Sequence, residues 1–416
     1  PVGQLVGGQL IGGADDLSST YYNPGSLALR NESSYLLSTE SFQWETVSTT
    51  PSSGLAIFDT SSSHLGAAPS LLAGALPRWF GQNTQLAWSF LTRQDFDVRL
   101  GQWLTNPIAA ATQSAAESYF DQDASEMWAG LTASRPVSES VGVGLTWYGV
   151  YRGQRLRNEL NILAVGANGA SATAVGVTDF QYSHYRTLAK LGLSWRSPKW
   201  QTGLSITTPS LGVLGSGKAA YTLSLAGVDA NQDGVVDPPT LATETAEDLD
   251  STYHSSWAVG AGANHTLGHT RLYMSVEWYA AVDRYVVIEV PNVPAETSRL
   301  TQELKSVLNA GVGFEHVLNP DISVYGAFHT DFSALEGGAR ANLAVSDWDL
   351  YHWSGGASFR IRDNRFTVGA SWAHGSKRRV LESPIPPETL PAPGVGAEVD
   401  IRYSKLTFLL GFVFGR

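Results

Sequence analysis

The sequence predicts an all-β chain in which fourteen antiparallel strands close into a transmembrane barrel. Three observations carry that reading. Apolar and polar residues alternate with period two in segment after segment. The links between segments are short and long by turns. Aromatic residues are plentiful where charge is scarce.

Only 16% of the 416 residues are charged, while 11% are aromatic; soluble domains carry roughly 25% charged residues. The balance of 27 Lys+Arg against 38 Asp+Glu leaves a net charge of −11. That lacks the basic footprint a nucleic-acid binder needs to displace counterions. Cysteine is absent, which excludes disulfide scaffolds, thiolate metal sites and cysteine nucleophiles. No apolar run reaches the ~18 residues of a membrane helix, and the longest, Leu406 to Phe414, falls well short. No signal peptide precedes Pro1. That suits a cytosolic chain or a mature one whose signal was removed, and the barrel reading selects the mature form in a bacterial outer membrane.

Taken in order, the strand segments fall at roughly 33–48, 65–78, 84–104, 123–138, 141–165, 178–197 and 200–227, then 253–268, 271–290, 301–318, 321–336, 346–362, 364–382 and 399–415. In the third, Leu86, Trp88 and Phe90 oppose Ala87, Ser89 and Leu91. In the ninth, Leu272, Met274, Val276 and Trp278 oppose Tyr273, Ser275, Glu277 and Tyr279. The last sets Leu406, Phe408, Leu410, Phe412 and Phe414 against Lys405, Thr407, Gly411 and Val413. Period two over such lengths describes strands.

Tight links at 80–84, 139–142, 197–199, 268–270, 319–321 and 362–364 alternate with long polar ones at 49–64, 105–122, 166–177, 228–252, 291–300, 337–345 and 383–398. Short turns at one end and long loops at the other are the outer-membrane barrel pattern. A soluble sandwich or propeller also alternates, but it would bury one face in a dry core. Polar and charged faces opposite aromatic ones fit a wet lumen better.

The N-terminus differs from the rest. A Gly-rich start through residues 3–13 is followed by Ala14-Asp15-Asp16 and then Tyr21-Tyr22-Asn23-Pro24-Gly25-Ser26-Leu27-Ala28. Asn-Pro-Gly is a turn signal, because Pro fixes φ and Gly is free to take a positive one. Asp15 or Asp16 suits the cap of a short helix before it. This stretch resembles the start of the long-chain fatty-acid transporter family of outer-membrane proteins, the FadL/TodX type. Its pattern there is Ala-Asp-Asp, then Tyr-Tyr-Asn-Pro-Ala-Gly-Leu; Gly25-Ser26 replace Ala-Gly here, small for small. The resemblance implies a hatch of residues 1–30, with Asp15, Asp16, Tyr21, Tyr22, Asn23, Pro24 and Gly25 as its motif, inside a barrel of residues 31–416. It also implies passive uptake of hydrophobic molecules, long-chain fatty acids or aromatic hydrocarbons, with a sideways exit beside a kinked third strand.

Candidate sites follow. Arg93, Asp95, Asp97 and Arg99 alternate on one expected lumen face, which suits either carboxylate recognition through Arg93 and Arg99 or a charge-balanced wall. Leu71, Leu72, Leu211 and Leu214 are candidate apolar ligand contacts near the loop end. The segment Asp229-Ala230-Asn231-Gln232-Asp233-Gly234-Val235-Val236-Asp237 follows the calcium-loop pattern. In it Asp229, Asn231, Asp233 and Asp237 supply oxygens and Val235 a backbone carbonyl, while Thr240 stands where a bidentate Glu is expected. A weak Ca2+ site in the 229–240 loop is therefore expected, with no cofactor required. Neither Gly-x-Ser-x-Gly nor His-Glu-x-x-His occurs, so an enzyme is not expected. The expected partners are membrane lipid and a hydrophobic small molecule. The alternative function is a structural or docking barrel that binds other proteins at its rim.

Overall fold

The computed structural model describes residues 2–30, 34–51, 60–77, 83–105, 108, 111–229, 235–291, 299–335, 348–380 and 398–415. Its strands are β1 Ser34–Pro51, β2 Thr60–Leu76, β3 Gln85–Thr105, β4 Gln113–Pro136, β5 Val141–Val165, β6 Ser171–Arg196, β7 Trp200–Thr207, β8 Leu211–Ala226, β9 Thr240–Asp250, β10 Ala258–Leu267, β11 Thr270–Tyr279, β12 Val282–Glu289, β13 Arg299–Leu304, β14 Val307–Asn319, β15 Ile322–Asp331, β16 Leu350–Ile361, β17 Asn364–Val380 and β18 Glu398–Gly415. Three one-turn helices precede them: α1 Val2–Leu5, α2 Ser19–Tyr22 and α3 Pro24–Leu27.

Fourteen of these strands close a ring. From β1 to β7 each pairs with the next in sequence, the ring continues through β10, β11 and β14 to β18, and β18 pairs back with β1. All its neighbours are antiparallel, as the alternating links require. Five of the six tight links fall where expected, and the one at 80–84 lies largely outside the described residues; β10 and β11, for instance, are joined through Gly268 at φ 58°. There Gly meets a positive φ at no steric cost.

The wall is inside-out relative to a soluble core. Thr146, Arg152, Arg186, Lys190 and Gln122 are buried within the ring. Leu145, Trp147, Leu191, Leu204, Met274 and Phe408 face outward and are exposed. Strands of 24 to 26 residues (β4, β5 and β6) run ~80 Å at ~3.3 Å per residue. That is far more than the ~25 Å apolar band of a membrane barrel needs, so this side stands tall. The opposite side is low, with β15 and β16 of 10 and 12 residues.

Three expected strands are interrupted. Segment 200–227 breaks at Thr208-Pro209-Ser210 into β7 and β8, since Pro209 has no N–H for the ladder. At the break Ser210 and Ser255 exchange N–H to hydroxyl bonds at 3.0 and 3.1 Å. β6 then changes partner, from β7 at Lys190↔Thr207 to β8 at Thr187↔Leu211. The expected loop at 228–252 carries β9, which pairs with β8. Segments 271–290 and 301–318 break at 280–281 and 305–306. Their outer halves form a separate hairpin, β12–β13, packed through Val287, Ile288, Val290 and Leu300 against Leu156, Phe180 and Tyr182 of the wall.

The third strand holds a further departure. A bulge between Thr92 and Gln94 shifts the β3–β4 register. Ala87, Ser89 and Leu91 point inward below it, and Phe96 and Val98 above it. The expectation that Arg93, Asp95, Asp97 and Arg99 share one lumen face is therefore corrected. An extra residue in one strand reverses the facing of all that follow.

Candidate functional site

The N-terminal segment packs against wall strands on opposite sides of the ring. One-turn helices leave most of their carbonyls without intrahelical partners, and wall side chains donate to them. Tyr148 Oη and Thr146 Oγ1 reach the Thr20 carbonyl at 2.8 and 2.9 Å. Lys190 Nζ reaches Tyr21 O at 2.8 Å, and Arg196 Nη1 reaches Leu29 O at 2.9 Å. Further round, on β10, Asn264 Nδ2 donates to Gly13 O at 2.8 Å, and across the ring, on β16, Ser354 Oγ donates to Leu5 O at 3.0 Å.

Asn23 is the hinge of this arrangement. Its Oδ1 caps α3 by accepting from Gly25 N at 3.0 Å, with Pro24 at the first helical position, the place Pro favours. Its Nδ2 donates to Ile11 O at 2.7 Å and to Leu193 O of β6 at 3.0 Å. Gly25 approaches the wall closely: a Cβ there would lie 2.7 Å from Gly192 O. Asp15 pairs with Arg271 and, at 3.9 Å, with Arg196. Asp16 accepts from Ser18 N at 2.9 Å. Every residue of the Asp-Asp…Tyr-Tyr-Asn-Pro-Gly motif thus lies in the packed segment.

Tyr21 and Tyr22 meet edge to face at 5.0 Å, and Tyr21 continues to Trp128 of β4 at 6.3 Å. Burial pushes both phenols up, so they remain neutral. Between these rings and the wall lies a cavity of about 130 Å³, lined by Gly3, Ser18, Tyr21, Tyr22, Leu71, Leu91 and Arg93 among others. Its outer boundary is where the wall parts. Among the described residues β2 and β3 pair only from Leu71↔Leu91 to Leu76↔Leu86. Beyond that, among the described residues, β2 keeps only its β1 partner and β3 only its β4 partner. Arg93, the residue at the bulge, forms no hydrogen bond and no ion pair with the described residues.

Other candidates fall elsewhere. Leu71 lines the cavity, whereas Leu72 faces outward. Leu211 and Leu214 lie on the outer wall at the lower end of β8, not on the loop rim. Arg99 is on the outer face with Asp97 at 3.2 Å and Asp121 at 3.6 Å. Of the calcium-loop residues, Asp229, Val235 and Asp237 are described, and Asn231 and Asp233 lie outside the described residues. The loop ends are drawn together by Asp237 N to Val228 O at 2.8 Å. Among the described residues no group of three or more His, Asp or Glu is arranged to hold a metal.

A closed fourteen-stranded ring, an N-terminal segment packed against its wall strands and, among the described residues, a parting of β2 from β3 beside a strand-three bulge define the architecture. No family model and no curated protein matches the sequence. Solved structures do. A Pseudomonas aeruginosa FadL homologue aligns at 12% identity and TM-score 0.64 over 98% of this chain and 96% of its own. The Ralstonia pickettii toluene transporter TbuX aligns at 12% identity and TM-score 0.59 over 100% and 97%. The P. putida toluene transporter TodX aligns at 10% identity and TM-score 0.61 over 100% and 97%. At such identity the likeness is one of fold, and it spans nearly the whole of each chain.

Proposed function

We propose that this chain is an outer-membrane channel for passive uptake of hydrophobic small molecules, and that residues 1–30 are its hatch. The observation that carries the reading is the cavity between the N-terminal segment and the end of β2–β3 pairing. It joins the lumen to the place where two wall strands part. A ligand leaving there would enter lipid sideways instead of crossing the hatch. The membrane setting is supported by the outward band of Trp147, Leu191, Leu204, Met274, Trp372 and Phe408, whose exposure to water would cost ~25 cal/mol per Å². Similar solved proteins are described as toluene transporters.

Apolar clusters inside the loop end would favour a hydrophobic ligand entering there. Val47, Phe96, Val98, Trp348, Ile401 and Tyr403 form one, and the β12–β13 hairpin with Leu156 and Phe180 forms another. The cavity is close to the ~150 Å³ that accepts benzene in an apolar interior, which favours a single-ring compound over a fully seated long acyl chain. The test is uptake by a transporter-deficient host expressing the chain. Toluene entry above the empty-vector level is expected, and its absence with correctly assembled protein would remove the proposal. We also read the 229–240 loop as a weak Ca2+ site, on the pattern of its ligand types and the Asp237 to Val228 closure.

A further inference from the structure

On the outside of the ring, the side chains of β17, β18 and β1 change character above one level. Trp372, Leu406 and Trp44 are register neighbours on these strands, and all three are exposed. Trp372 stacks on Trp353 of β16 at 5.1 Å and donates Nε1 to Ser404 Oγ at 2.9 Å. An outward indole with its ring among apolar neighbours and its N–H bonded upward marks a membrane interface. From the turn end at Asn364 to Trp372, β17 runs ~26 Å at ~3.3 Å per residue, enough to cross most of a ~25 Å apolar band at barrel tilt. Above that level follow His374, Ser404 and Thr46, then Ser376, Arg402 and Ser48, then Arg378, Asp400 and Thr50, row by row in register. Their inward neighbours Ala373, Ile401, Tyr403 and Val47 are buried in the ring, so alternation puts these rows outside.

Arg402 is the unclaimed charge. It is exposed, and among the described residues it makes no hydrogen bond and no ion pair. The carboxylate of Asp400 is taken by Arg378, whose Nε donates at 2.9 Å and Nη2 at 3.5 Å. Asp349 accepts from Ser333 N at 2.9 Å. Serines flank Arg402 on both ladders, Ser48 on one side and Ser376 on the other, and their short side chains leave the guanidinium open. Guanidinium with hydroxyls is a phosphate-binding set. The outer face of β3 to β6 is different. There Arg99 pairs with Asp97 and Asp121, and Arg155 and Arg157 pair with Asp179, so each of these cations already has its anion.

We propose that this outer face seats a phosphorylated glycolipid of the outer leaflet, with Arg402 gripping the phosphate beside the hydroxyls of Ser48 and Ser376. The acyl chains lie against Trp372, Leu406 and Trp44. Height supports this placement. Arg402 stands two rows above Trp372, ~13 Å along the strand and ~10 Å in height at a tilt of ~40°. Headgroups occupy the ~5–7 Å beyond each edge of the hydrocarbon, and a long arginine side chain reaches down to them. The row between, His374, Ser404 and Thr46, suits a headgroup with hydroxyls between its phosphate and its tails, as an acylated sugar has. Continuity with the apolar band selects a lipid over a soluble anion, which would meet only the upper rows. The proposal rests on the outer-membrane setting and holds whether or not the channel conducts.

The test is titration of the full chain in detergent, read by native mass spectrometry, with a diacylglucosamine phosphate and with the same diacylglucosamine lacking its phosphate. Chelator is present throughout, so that divalent cations cannot bridge the phosphate to the carboxylates of the β3 to β6 face. Wild type is expected to favour the phosphorylated lipid about tenfold, the effect of one charge-assisted contact. Arg402→Gln should erase that preference. Ser376→Asp, which sets a carboxylate beside the guanidinium, should erase it too. Arg155→Gln, on the other face, should leave it intact, and excess inorganic phosphate should not displace the lipid. Equal affinity for the two lipids in wild type, or a preference that survives Arg402→Gln or Ser376→Asp, would overturn the proposal. So would loss of the preference in Arg155→Gln, which would mean general attraction, or displacement by inorganic phosphate, which would mean a site for a free anion. Heat-modifiable mobility on SDS gels verifies folding of each variant. Should Arg402→Gln fail that check, Ser376→Asp still decides.

Discussion

Asn23→Ala is the perturbation that most directly loosens the N-terminal segment. The side chain is fully buried and makes three hydrogen bonds, at 2.7, 3.0 and 3.0 Å. At ~1 kcal/mol each these account for ~3 kcal/mol, and stranding the buried carbonyl of Ile11 adds ~1–2 kcal/mol. A loss of ~3–5 kcal/mol moves the docked-to-undocked ratio of the segment by about two to three and a half decades. The barrel ladder itself is untouched, because Asn23 lies outside every strand. The assay is conductance of purified protein in planar bilayers, together with proteinase K cleavage of the N-terminus. The variant should show frequent open events and a cleavable N-terminus while keeping a folded barrel. Wild-type conductance with an equally protected N-terminus would refute the reasoning that Asn23 anchors a plug.

Deleting residues 1–20 should raise passive leak of small solutes beyond the Asn23→Ala level, read as liposome swelling in a non-binding sugar. Gly144→Ala places a Cβ 2.3 Å from Pro24 O; overpacking of ~1–3 kcal/mol should lower the protection of the segment from protease without lowering barrel yield. Leu91→Trp should fill the cavity beside the wall opening and slow toluene flux about tenfold, the effect of ~1.4 kcal/mol of added barrier, in a proteoliposome uptake measurement. Asp229→Ala with Asp233→Ala should abolish the calcium dependence of protease resistance in the 228–252 loop, where wild type is expected to be more resistant with calcium than with chelator.

Much of the fold was legible because a barrel writes itself locally. Period two marks each strand, and turn chemistry such as Leu267-Gly268-His269 or Arg362-Asp363-Asn364 marks one end. Where pairing instead of propensity decides, the sequence was silent. The bulge at Arg93 lies in Leu86–Leu100, which has no Gly or Pro, so nothing local announced that Asp95, Asp97 and Arg99 would turn outward. The break at Pro209 did carry a signal, a Pro amid alternating residues. The partner switch it permits, β6 from β7 to β8, is a long-range event. Ala280-Ala281 and Lys305-Ser306, where two other segments break, carry no comparable mark. In the N-terminal segment the Tyr-Tyr-Asn-Pro-Gly turn pointed to packing. Arg402 could not have been singled out, since Ser48, which flanks it, lies on β1 and meets β18 only through closure of the ring.

The account turns on movement of a hydrophobic molecule from the lumen through the parted wall. Proteoliposomes carrying the purified chain, loaded from outside with radiolabelled toluene, measure it most directly when wild type is compared with a variant whose opening is bridged. The chain has no cysteine, so a cysteine pair at Ser70 and Thr92, just beyond the last β2–β3 pair, can be joined by a short bifunctional reagent without side reactions. Uptake above that of protein-free vesicles, lost on bridging and regained on cleaving the bridge, is the predicted result. Uptake unchanged by the bridge would contradict the wall opening as the exit, and uptake equal to protein-free vesicles would contradict transport itself.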